Sequence, residues 1–199
     1  MNQINHFDNH FEQNRPVHLA RRDVYFEKAA ELISNELHGQ ECGLKNERYE
    51  EILFMLRTAR QHARFSIRNS GKNEHDEQFS LFINLLAGNV KAVLSMINLR
   101  KMVENSNGSS FSFLGVNQAS AGLQAEEYQR RAEDIVRSMQ NTLKLAEEPF
   151  EQLKARNRSI ASGEANERYE KARAHFSELV KEKPSTYRVP SLIRKFMRF

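Results

Sequence analysis

Apolar side chains recur along this chain at the three-and-four spacing of helices, most densely over residues 79–99. Phe79, Phe82, Ile83, Leu86, Val90, Val93, Leu94 and Ile97 form one row there. Leu81, Leu85, Ala92, Met96 and Leu99 form a second row on another side. A helix that is apolar on two sides needs cover on two sides, so the pattern predicts the central helix of a bundle. Asn84, Asn89, Lys91 and Asn98 interrupt the rows, and each would be costly in lipid, which favours a buried soluble helix over a membrane span. Glu74, Asp76 and Glu77 at its start and Arg100 and Lys101 near its end suit the helix dipole. Gly88 in the middle costs about 1 kcal/mol relative to Ala, and a close helix crossing at that point would account for it.

The same reading predicts four further helices. One spans about residues 17–38 and carries Leu19, Tyr25, Phe26, Ala29, Leu32, Ile33 and Leu37. Another starts at Asn46, a good N-cap, and buries Tyr49, Ile52, Leu53, Leu56, Ala59, Ala63 and Ile67. A fourth opens near residue 120 with a core row from Tyr128 through Ala132, Val136, Met139 and Leu143. It ends or kinks at Pro149, while the row continues to Phe150 and Leu153. The fifth begins near residue 164 and buries Tyr169, Ala172, Phe176, Leu179 and Val180. Residues 105–117 form the one long irregular connection, whose Phe111, Phe113, Leu114 and Val116 are expected to tuck under the bundle. Strand-like alternation is nearly absent. The expected fold is all-α, a single bundle of about five main helices over residues 17–183. A mobile polar arm precedes it at 1–16, and a short basic amphipathic helix follows at 184–199.

Composition narrows the function without naming it. The chain has 199 residues, enough for one sizeable core, and its few glycines (8) and prolines (4) suit long helices. A net charge of +4 is a mild basic excess that favours acidic partners. Cys42 is the only cysteine, which excludes an internal disulfide and a cysteine-based zinc site. No apolar signal segment opens the chain, so the expected location is the cytoplasm, or export without a cleavable signal. The polar, amphiphilic N-terminus resembles those of bacterial secreted effectors.

Two basic surfaces are left once the core rows are assigned. Arg57, Arg60, Arg64 and Arg68 make a stripe along the second helix. In the tail, Leu192, Arg194, Lys195, Phe196, Arg198 and Phe199 interleave charge with apolar surface, a pattern that fits a partner's groove, an anionic membrane or nucleic acid. His6 and His10 share a helical spacing, but Phe7 stands where a zinc protease needs Glu, and no metal site or cofactor is expected. Arg57 with His62, and Arg168 with His175, match the loose Arg-then-His spacing of HEPN-type helical ribonucleases. That resemblance implies His62 and His175 as general acid or base and arginine on the phosphate. No phosphate-binding glycine loop, dinucleotide fingerprint or nucleophile elbow is present. The leading expectation is a non-enzymatic protein-interaction module (an adaptor, regulator or bacterial effector) that meets its partner through the arginine stripe and the tail. The alternative is a basic nucleic-acid-binding protein, including a HEPN-like ribonuclease.

Overall fold

A computed structural model describes residues 4–36, 44–66, 74–106 and 118–182, with the side chains of 4–13, 106, 118–121, 160 and 182 outside that description. The described residues form five α-helices and no strand: α1 (Ile4–Ser34), α2 (Asn46–Ser66), α3 (Glu74–Ser106), α4 (Gln118–Ile160) and α5 (Gly163–Glu182). The all-α fold expected from periodicity is what the chain adopts. Two expected breaks are crossed without interruption. α1 begins well before Pro16 and passes through it, and α4 passes through Pro149, so both prolines lie inside helices. Neighbouring helices supply apolar contacts on both sides of Pro149, where Ala146, Phe150 and Leu153 are all buried. That packing offsets the lost backbone hydrogen bond. The connection at 107–117, residues 37–43 with Cys42, and the tail from 183 lie outside the described residues.

Helices α1 to α4 run alternately up and down, and α5 returns parallel to α1. His18 meets His62 while Glu36 meets Arg48, so α1 and α2 are antiparallel. Asp23 meets Tyr169 while Glu27 meets Arg173, so α1 and α5 run the same way. At the centre, Phe26 of α1, Phe79 of α3 and Phe150 of α4 form an aromatic triad with ring centroids 4.7 to 5.2 Å apart. Offset and edge-on ring pairs of this kind contribute about 0.5–1.5 kcal/mol each beyond their buried area. Gln140 on α4 donates to the carbonyls of Ile33 and Ser34, capping the C-terminal end of α1.

The central helix is α1, not α3. α1 packs against α2, α4 and α5. From Arg22 to Phe26 every side chain is buried, as are Leu19, Ala20, Ala29, Leu32 and Ile33. The second apolar row of α3, expected to be covered, is largely bare: Leu81 is 57% exposed, Leu85 48% and Leu99 36%, while Ala92 and Met96 are half-buried and Met96 packs against the core. The first row is the side turned inward, with Phe79, Ile83, Leu86, Val90, Val93 and Ile97 buried against α2 and α4 and Phe82 and Leu94 half-buried beside them. A side chain on Gly88 would meet nothing within 4 Å, so no helix crosses closely there among the described residues. The error has a physical cause. An Arg-Asp pair in mid-helix reads as surface, which hid the all-round burial of α1 over residues 22–26.

This one-sided burial has a measurable signature. Leu86→Ala is expected to cost about 2–5 kcal/mol, because it opens a cavity in the core. Leu85→Ala, one residue away, is expected to change stability by less than about 0.5 kcal/mol. Urea denaturation of dilute protein compares the two.

Candidate functional site

The most polar part of the interior lies where α1 is clasped between α4 and α5. Arg22 and Asp23 are each only 1% exposed. Arg22 Nε donates to Asp23 Oδ1 at 2.7 Å, and the Tyr169 hydroxyl donates to Asp23 Oδ2 at 2.8 Å. One turn on, Glu27 accepts from Arg173 at 2.7 Å and from Lys154 at 3.3 Å. Lys154 is also paired with Glu151. Two i,i+4 pairs, Asp23/Glu27 on α1 and Tyr169/Arg173 on α5, therefore face one another as a ladder. Burial, and then the Asp23 charge and hydrogen bond, push the Tyr169 hydroxyl well above its ordinary pKa, so it stays a proton donor. Periodicity identified Tyr169 as a core residue. It gave no sign that Asp23 and Glu27 were the acids it and Arg173 would face.

Above this ladder, at the turn from α4 to α5, is a pocket of about 390 Å³. Arg15, Pro16, Leu19 and Asp23 of α1 form one wall, and Lys154, Asn157 and Arg158 of α4 a second. The start of α5 closes it with Ala165, Asn166 and Tyr169 after Ala161 and Ser162. Ser162 caps that helix, its Oγ accepting from the backbone N–H of Ala165 at 3.3 Å.

A second polar cluster joins α1 to α2. His18 and His62 approach Nδ1 to Nδ1 at 2.9 Å, with Phe65 against both rings. Burial, then the Arg21 charge and His18, lower the His62 pKa from 6.5 to about 4. Burial and Arg21 lower that of His18 as well. Both rings are therefore neutral at pH 7, one Nδ1–H donating to the other's lone pair. Arg21 itself lies over the rings of Tyr25 and Phe176 at 5.5 and 5.1 Å.

The residues singled out from sequence fall into separate places. His62 is buried at 8% exposure in the histidine pair, whereas Arg57 is exposed on α2. Five residues along a helix rotate the second side chain far from the first, so the two do not share a face. His175 is exposed on α5 beside the Phe176 ring, and Arg168 pairs with Glu164. Arg64 is exposed like Arg57, with Arg60 half-buried between them. Arg68, Leu192, Arg194, Lys195, Phe196, Arg198 and Phe199 lie outside the described residues. Among the described residues no group of three or more His, Cys, Asp or Glu converges as a metal site would require.

The site also presents a surface that sequence reading had assigned to the core. Along the outside of α3, Leu81, Leu85 and Leu99 of that row stand exposed, and so does Met102, which the row did not include. By length and composition α3 could cross a membrane, with a mean hydropathy of 1.6 over its most apolar window.

Two measurements test this geometry. Tyr169→Phe leaves a carboxylate oxygen of buried Asp23 without its donor and is expected to cost about 1–3 kcal/mol in urea denaturation. For the histidine pair, the unfolded chain binds a proton near pH 6.5 while the folded chain resists it down to about pH 4. Stability is then level above pH 6.5 and falls as the pH drops toward 4, by on the order of 2 kcal/mol for His62 after solvent screening. His62→Gln is expected to flatten that slope in a pH series of denaturation curves.

Comparison of the chain with protein-family models, with curated proteins and with solved structures gives no match.

Proposed function

We propose that this protein is a non-enzymatic helical interaction module that pairs with a second copy of itself through the outer face of α3. The observation that carries this reading is the uncovered row of large apolar side chains on that helix. Leu81, Leu85, Gly88, Ala92, Ser95, Leu99 and Met102 follow one another at alternating four- and three-residue steps, the spacing of a helix-pairing seam. The seam has large residues at both ends and small ones in the middle, and its sizes read the same from either direction about Ala92. An antiparallel copy sets Leu81 against Met102 of the second copy and Leu85 against its Leu99. Gly88 and Ser95 then face each other, and Ala92 sits on the two-fold axis. This is the self-complementary arrangement an isologous dimer requires.

The pair would display the arginine face of α2 twice, with the tail at 184–199 in addition. Those surfaces are what the module offers to a third component, an acidic protein surface, in the manner of an adaptor or regulator.

Cross-linking tests the seam in a Cys42→Ser background. Ala92→Cys is expected to give a disulfide-linked dimer. Leu85→Cys alone is expected to link poorly, whereas a mixture of Leu85→Cys and Leu99→Cys chains links well. Leu85→Lys is expected to convert the protein to a monomer in light scattering. A wild-type chain that stays monomeric up to about 100 μM overturns the reading, since specific interfaces hold at micromolar Kd or tighter. So does partition into neutral lipid vesicles in place of dimerisation, because α3 would then face a membrane.

A further inference from the structure

We infer that the pocket between α1, α4 and the start of α5 binds a small organic anion, a phosphate monoester with an apolar body. The inference is independent of the α3 seam. At about 390 Å³ the pocket lies within the range of small-molecule sites.

Its charges do not cancel internally. Asp23 borders the pocket, but Arg22 and the Tyr169 hydroxyl already occupy its two oxygens. Lys154 is committed to Glu27 and Glu151. Glu164, in the first turn of α5, pairs with Arg168. Arg15 and Arg158 remain, and neither has an ion-pair partner among the described residues. Two donors are buried without an acceptor, Arg15 Nε and Asn157 Nδ2. A buried donor left unpaired costs about 1–3 kcal/mol, and an acceptor-rich ligand would recover that cost at both positions.

The shape of the pocket adds to its charge. Two guanidiniums present paired N–H donors, which match the oxygens of a phosphate better than an ammonium does. Pro16, Leu19 and Ala165 line the pocket alongside these groups and give an apolar body a surface to lie on. An inorganic ion would leave that surface empty.

Isothermal titration of the full-length chain with phenyl phosphate tests the proposal, with phenol and inorganic phosphate as separate titrants. Saturable one-to-one binding of phenyl phosphate is expected, with phenol and inorganic phosphate each weaker by roughly tenfold or more. Arg158→Gln and Arg15→Gln are each expected to weaken phenyl phosphate by roughly tenfold, and Arg64→Gln, outside the pocket, by less than about twofold. Circular dichroism of each variant confirms that its helices are retained. Absence of saturation below about 10 mM overturns the proposal, being weaker than any specific site of this size. Equal binding of phenol overturns the anion, equal binding of inorganic phosphate overturns the organic class, and unchanged affinity in both arginine variants overturns the site.

Discussion

The buried Arg22–Asp23 pair is the constraint around which the helices are arranged. A charged pair taken out of water is costly unless its remaining hydrogen-bonding capacity is met; here the Asp23 oxygens are both satisfied, while Arg22 Nη2 has only its ion-pair contact to Asp23 and no hydrogen bond among the described residues. Arg22 lies 5.3 Å over the Phe79 ring of α3, and Asp23 receives the Tyr169 hydroxyl of α5. The pair therefore ties α1 to both sides of its surroundings. Without α5, Asp23 would lose the partner that satisfies its second oxygen. The docking of α5 on α1 is thus a requirement of the core as well as an addition to it. One turn on, the Glu27–Arg173 contact repeats the arrangement with less burial and sets the register between the two helices.

That arrangement also creates the pocket. α4 runs past Pro149 far enough to lie beside Arg15 and Pro16 of α1, and the chain then turns at Ala161 and Ser162 to send α5 back along α1. Three helix segments meeting at such a turn cannot fill the space with side chains alone. Arginines border the gap, and the acids nearby are already paired. The pocket chemistry and the core chemistry are two consequences of placing Asp23 and Tyr169 together.

At the opposite side, α3 is left with an apolar face that the fold does not cover. A four-helix arrangement buries one side of each outer helix, and α5 sits on α1, away from α3. The exposed leucines of α3 thus follow from where the fifth helix was spent. An uncovered apolar row of this length is what interaction surfaces offer. The basic face on α2 lies on the adjacent helix, so one part of the molecule carries both apolar and cationic surface.

Sequence periodicity alone determined that there are five helices, the limits of α2, α3 and α5 to within a few residues, and most of the buried residues of α2, α4 and α5, but not the early start of α1 at Ile4 or the buried Met55, His62 and Ser66 of α2. Local spacing records which side of a helix is apolar, and Tyr49 through Ala63 or Ala132 through Leu153 could face only inward. What spacing does not record is which apolar side finds a neighbour. The outer row of α3 is as apolar by composition as many core rows, and only the position of the other helices left it bare. The meeting of Asp23 with Tyr169, the approach of His18 to His62 and the lining of one pocket by Arg15 and Arg158 join residues far apart in the chain. Such pairings depend on complementary partners brought together by packing, and no local pattern encodes them.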